Sequence, residues 1–275
     1  MTIVKERNEN MSDLSDFWFE YQASLPQILA GKPFLYEGEH DIALHFDFSA
    51  TQSHMLKSDP DKLILGYTRT MMGFLLFQPK PERIAMIGLG GGSLAKYCLR
   101  HITEAHFTAV EINPNVIALR DKFGIPPDSP NFEVVCADGA DYVRNRFEPV
   151  DVLLVDGFDR DGQPGQLGGV EFYDHCYAKL RNGGVLVVNL LSGDTKSGTY
   201  MARIRESFDG QVVVVQAEEK GNQIVFAYKG RDYPPLTTTM SERVRDLGPT
   251  HTVALHAIAQ KVIERLKQRT SSIPL

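Results

Sequence analysis

From residue 84 onward the chain repeats one unit: a short apolar run, a turn at glycine or an acid, and an amphipathic segment. IAMIG ends in glycine and is followed by SLAKYCLRH, which reads as a helix. FTAVEIN ends in an acidic turn, and NPNVIALRDKFG predicts a helix closed by Gly124. FEVVCADG ends in Asp-Gly, and VDVLLVDGFD again ends in an acid. EFYDHCYAKLRNGG reads as a helix with a glycine stop. VLVVNLL, QVVVVQAE and NQIVFAYKG complete the strands; the last two lack a helix signal between them, which predicts antiparallel pairing. Runs such as VLLV and VVVV are apolar on both faces, which suits a central sheet covered by helices on each side. Alternating strands and helices predict an α/β architecture with a doubly wound, mostly parallel sheet.

The leader follows a different rule. Ile42, Leu44 and Phe46 alternate with Asp41, Ala43, His45 and Asp47, a period-two strand signal. Upstream, DLSDFWFEYQASLPQILA is compatible with a short helix capped by Ser15 or Asp13. Asp59-Pro60 predicts a helix start, with Leu63, Tyr67, Thr70, Met71 and Phe74 on one face. A last helix is expected from about Thr252 to Arg269. These readings divide the chain into a β-rich N-terminal domain over residues 1–65 and an α/β domain over residues 66–275. With 43% hydrophobic residues in 275, a sizeable core is available. The balance of 29 basic against 35 acidic residues, a net charge of −6, argues against nucleic-acid partners. No stretch approaches the ~18 apolar residues of a membrane helix, so a cytoplasmic protein without membrane contact is expected. Cys98, Cys136 and Cys176 have no CxxC spacing and read as small buried hydrophobes. The eight histidines show no HxH or HExxH spacing, so no metal is expected.

Chemistry concentrates at the ends of the apolar runs. Gly88-Leu89-Gly90-Gly91-Gly92-Ser93 lies between a strand and a helix, where glycines admit a ligand to the backbone and the helix N-terminus offers bare N–H groups. Glu111 follows at about the 20-residue offset of an acid that accepts from ribose hydroxyls. Asp138-Gly139 ends the third strand, where an acid can accept from an adenine amino group. Together these strand ends outline an adenosine site at the carboxyl edge of the sheet. The outline fits a nicotinamide enzyme with Ser93 at the sixth position of GxGxxG, and it fits the looser GxGxG turn of S-adenosylmethionine methyltransferases. A third reading rests on Asp156, which ends an apolar strand at the same edge. Partial burial there would raise its pKa toward that of a useful base.

The order of motifs resembles the spermidine synthase (polyamine aminopropyltransferase) family over roughly residues 36 to 230. IGLGGGSL is similar to its glycine loop, VEINPNVI to its ribose-binding segment, and ADGADYV to its adenine segment. VDVLLVDGFD followed by EFYDHCYAKLRNGG resembles its DVIIVDSSD loop and FYxxCxxxLxxGG helix, and ATQSHML and Tyr67 resemble its VQ and YHE segments. The resemblance implies a Rossmann-like fold of the methyltransferase type and transfer of an aminopropyl group from decarboxylated S-adenosylmethionine to an amine such as putrescine. It implies Asp156 as catalytic base. Gly88, Gly90, Gly91, Glu111, Asp138 and Gly139 would hold the nucleoside; Gln52, Tyr67 and Asp159 would hold the amine. It also implies a homo-oligomer, commonly a dimer. The alternatives are a methyltransferase using intact S-adenosylmethionine and a non-catalytic nucleoside- or polyamine-binding homologue. The chain departs from the family where the glycine loop lacks its aspartate, where YHE reads Tyr67-Thr68-Arg69, where the proline after DSSD reads Arg160, and where a glutamine reads Asn189. Arg69 and Arg160 would favour a more neutral or partly anionic acceptor.

Overall fold

The computed structural model describes residues 3–5, 32–46, 51–145, 147–158, 162–230 and 237–270. The N-terminal sheet has the order β1 (Ile3–Lys5), β2 (Phe34–Glu37), β3 (Asp41–His45), β4 (Thr51–Leu56). β2, β3 and β4 form an antiparallel meander, and β1 joins β2 in parallel. The large sheet holds β5 (Arg83–Ile87), β6 (His106–Glu111), β7 (Phe132–Cys136), β8 (Val150–Val155), β9 (Leu180–Leu191), β10 (Val212–Gln216) and β11 (Asn222–Tyr228). Its order is β10-β11-β9-β8-β5-β6-β7. β5 to β9 are mutually parallel, and β11 runs antiparallel to both β9 and β10.

The double-sided hydrophobicity of the strands explains the layering. Met86, Val152, Leu154, Val185 and Val187 enter one core, while Ala85, Ile87, Leu153, Val155, Leu186 and Val188 enter the other. Successive residues alternate between faces because a strand has period two. The first core takes in α1 (Gly66–Met71), its 3-10 continuation Met72–Leu76 and α2 (Ser93–His101), together with Leu35, Leu44 and Met55 of the N-terminal sheet. After α3 (Pro114–Ile117) and α4 (Gly139–Arg144) come α5 (Val170–Lys179) and α6 (Ser197–Ser207), which supply Phe172, Tyr173, Tyr200 and Ile204 to the second core. Last come α7 (Thr237–Leu247) and α8 (Leu255–Thr270). Each fully buried aliphatic or aromatic side chain contributes about 1.5–3 kcal/mol relative to exposure.

Several local readings change. The helix expected from Asp59-Pro60 begins only at Gly66, because the Arg69 guanidinium takes the Leu63 and Ile64 carbonyls that a helix would use. The helix after Asn113 stops at Ile117 and continues as turns to Gly124, where φ is 62°. The α5 helix ends at Lys179, before its glycines; Leu180 already pairs with Val150 in β9, and Gly183, at φ 85°, lies inside the strand. α4, α6 and α7 carry no counterpart in the sequence reading. Cys98 and Cys176 are buried as expected, but Cys136 is exposed at the end of the edge strand β7. The segment 13–30, read as a short helix, lies outside the described residues.

Candidate active site

Strand order reverses between β5 and β8: β6 and β7 build outward on one side of β5, β8 and β9 on the other. Open α/β sheets bind ligands at such a switch point, outside the carboxyl ends. The two strand tips touch there. Asp156 N–H donates to the Ile87 carbonyl at 2.9 Å, and Gly88 N–H to that of Val110 at 2.8 Å. Gly88 sits at φ 91°, and a Cβ on it would come within 2.3 Å of the Asp156 carbonyl oxygen. Only glycine fits both requirements.

A cavity of about 500 Å³ opens at this edge. Gly88, Gly90, Glu111, Asp138, Gly139 and Asp156 line it from the large sheet, with Tyr67 from α1 and Gln52 from β4. Of the residues singled out in the sequence, Gly91 does not line it. Its N–H donates instead to the buried Ser53 Oγ at 2.8 Å, tying the glycine turn to the N-terminal sheet. Asp159 and Arg160 lie outside the described residues. Glu111 accepts from Leu89 N–H at 2.9 Å on one oxygen and from Asn113 N–H at 2.8 Å on the other. Each oxygen keeps a further lone pair for a ligand hydroxyl. Asp138 caps α4 by accepting from Ala140 N–H at 2.7 Å. Among the described residues no group of three His, Cys, Asp or Glu converges to hold a metal.

Asp156 receives hydrogen bonds from Asn189 Nδ2, at 2.8 Å, and from the Tyr67 hydroxyl. Burial pushes its carboxyl up to about 6, against the pull of those two donors. Tyr67 is raised well above 10 by burial and by the Asp156 charge, so its hydroxyl stays protonated and able to donate. Two further polar groups reach the cavity from the β10–β11 turn: Glu219 and Asn222. Glu219 Oε1 accepts the Gly66 N–H at 3.0 Å. Arg69 does not present its charge to a substrate. Its Nε and Nη2 meet Glu218 at 2.7 and 2.6 Å, and Nη2 lies 3.8 Å from Glu219. The expectation that Arg69 favours a more neutral or partly anionic acceptor therefore loses its basis at this residue: its charge is taken by Glu218 and Glu219, and of the three only Glu219 lines the cavity.

The sequence reading missed Glu219 and Asn222, although a signal was present. β9 ends at the ligand edge, so a final strand pair packed antiparallel beside it must turn at that same edge.

Residues 64–219 match the family described as the spermine/spermidine synthase domain. A polyamine aminopropyltransferase of Chromobacterium violaceum is 40% identical over 204 residues, which span 74% of this chain and 77% of the relative. The chain belongs to the spermine/spermidine synthase family. Its aminopropyltransferase relatives are transferases, and so is this protein. Among solved structures, a spermidine synthase in complex with the transition-state analogue AdoDATO shares the fold at a TM-score of 0.64 and 23% identity, over 85% of this chain and 81% of that one. Human methyltransferase-like protein 13, in complex with SAH, aligns at a TM-score of 0.61 and 22% identity over 68% of this chain and 92% of its own. The Rossmann-like fold is thus common to both chemistries, and sequence identity decides the family. In this chain the glycine turn, which carries no aspartate, is tightly packed at Gly91. A Cβ on Gly91 would lie 2.8 Å from the Phe123 ring and 2.9 Å from Ser53 Cβ.

Proposed function

We propose that this protein transfers an aminopropyl group from decarboxylated S-adenosylmethionine to the primary amine of a small cationic acceptor. The observation that carries this reading is Asp156: a half-buried carboxylate held at about 6 in a cavity that Glu111 and Asp138 also line. In this reading Gly88, Gly90 and Gly139 let the nucleoside approach the strand tips, Glu111 takes the ribose hydroxyls and Asp138 the adenine. Gln52 and Tyr67 face the acceptor, and Asp159 belongs to the same loop as the base. The division at residue 65 gives the nucleoside to the large sheet and part of the acceptor wall to the N-terminal sheet.

An ammonium has no lone pair, so the acceptor must lose a proton before it can attack. Asp156 takes that proton. The freed nitrogen pair then forms a bond to the methylene carbon beside the sulfonium, the carbon–sulfur bond breaks, and its electrons return to sulfur as neutral methylthioadenosine leaves. A carboxylate near 6 is ionised at neutral pH and more basic than an ordinary aspartate, which suits the step. Glu219 adds negative charge on the acceptor side, where Arg69 had suggested the opposite.

One observation favours a second reading. With the space beside Gly91 filled by Phe123 and Ser53, no carboxylate stands in the glycine loop to hold an aminopropyl ammonium or repel the carboxylate of intact S-adenosylmethionine. A methyltransferase would tolerate that. Calorimetry with methylthioadenosine and S-adenosylhomocysteine, followed by mass spectrometry of products from a mixed amine panel, separates the two. Tighter methylthioadenosine binding and amines heavier by one aminopropyl unit are expected. Tighter S-adenosylhomocysteine binding with methylated products would replace the proposal. Nucleoside binding with no product from any amine would leave a non-catalytic binding protein.

A further inference from the structure

The first residue of β11, Asn222, lines the cavity and reaches Asp156 through another side chain. Asn222 Nδ2 donates to Asn189 Oδ1 at 2.9 Å, and Asn189 Nδ2 donates to Asp156 Oδ1 at 2.8 Å. Asn189 is buried, at 3% exposure, in the middle of the register that pairs it with Ile224 of β11. We propose that Asn222 is a positioning residue, fixing the orientation of the Asn189 amide so that its N–H, and not its carbonyl, faces the Asp156 carboxylate.

The direction of the relay follows from donor counting. An ionised carboxylate only accepts, so Asn189 must offer it nitrogen. That choice turns Asn189 Oδ1 toward β11, where it needs a donor. Asn222 supplies one and so penalises the flipped amide. Without that donor the flip places carbonyl against carboxylate, which penalises the charged form of Asp156 and raises its titration midpoint. Asn222 Nδ2 thereby helps hold Asp156 at a midpoint compatible with ionisation at neutral pH. Tyr67 approaches Asp156 from α1, on an element separate from the relay, and Glu219 is the other charged group on the turn that lines the cavity. Neither belongs to the Asn222–Asn189 hydrogen bond that the test removes.

The inference rests on Asp156 acting as base, yet its central observable does not require turnover. Asp156 can be followed by carbon NMR of protein labelled at aspartate carboxyls, with Asp156→Asn assigning the resonance. Asn222→Leu keeps the branched shape and removes the donor; Asn222→Ser keeps a hydroxyl donor. In Asn222→Leu the Asp156 midpoint is expected to rise by about half to one unit, the size of the one neutral amide–amide hydrogen bond that favours the unflipped Asn189. In Asn222→Ser the rise is expected to be less than half as large. If turnover is measurable, the acid limb of kcat/KM moves with the midpoint while methylthioadenosine affinity stays within about twofold. An unshifted midpoint in Asn222→Leu overturns the proposal, and so does an equal shift in both variants, which would indicate packing alone. Absence of turnover in the unmodified protein would instead count against the functional reading and leave the NMR result to stand on its own.

Discussion

If Asp156 is the base proposed above, one side chain trades stability for reactivity. Its folded value of about 6 exceeds the ordinary 3.8, because burial penalises the charge more than Asn189 and Tyr67 favour it. The sign of the linkage follows. The ionised form costs the fold nothing below pH 3.8, and the cost grows until the carboxyl is fully ionised above about 6. Two units correspond to roughly 3 kcal/mol, reduced by solvent because the residue is only partly covered, so about 1–3 kcal/mol is at stake. Asp156→Asn should therefore raise Tm by a few degrees at pH 8, and this gain should vanish near pH 3. The same variant should lower kcat by about 10²–10⁴, the usual contribution of a general base. The unmodified enzyme should lose kcat/KM about tenfold per pH unit below 6. Full activity in Asp156→Asn, or a Tm gain independent of pH, would remove Asp156 from the role.

At the scale of elements, the glycine turn is set by its neighbours as much as by its own sequence. Placing an acid in the glycine turn by Gly91→Asp would drive a side chain into Phe123, which is fully buried, and Ser53, also buried. Overpacking of this kind costs about 1–3 kcal/mol, so thermal denaturation of Gly91→Asp should show Tm lower by several degrees. A variant as stable as the parent would show that the turn can move to admit a side chain at this position. The large sheet was legible because double-sided apolar runs ending in glycine or acid leave little choice of architecture, and Glu111, Asp138 and Asp156 followed as strand ends. The helix limits were less legible, because side chains replaced backbone partners. Arg69 captures the carbonyls before α1, and Arg120 binds the Pro126 carbonyl and Asp128 after α3. Arg69 was misread for a related reason: its partners, Glu218 and Glu219, stand about 150 positions away and meet it only once β11 is inserted beside β9.

At the scale of the whole molecule, the two sheets close one cavity between them. Thr51, Gln52 and Ser53 of β4 form one wall, the strand tips of the large sheet form the other, and the bond from Gly91 N–H to Ser53 Oγ joins them. The shared core of Leu35, Leu44 and Met55 with the first helical layer makes the junction apolar behind that polar seam. A nucleoside bound at the glycine turn should thus be felt on the far side of the seam, because a ligand that binds only the closed arrangement stabilises every contact that arrangement needs. Hydrogen exchange with and without saturating methylthioadenosine reads this directly. Amides of residues 88–92 should slow on binding, and those of 51–56 should slow with them by about tenfold or more, since opening β4 would expose the ligand. Ser53→Ala should uncouple the two responses, preserving protection at the glycine turn while reducing it in β4. Protection confined to the large sheet in the unmodified protein would mean that the N-terminal sheet is a neighbour of the nucleoside site and not part of its closure.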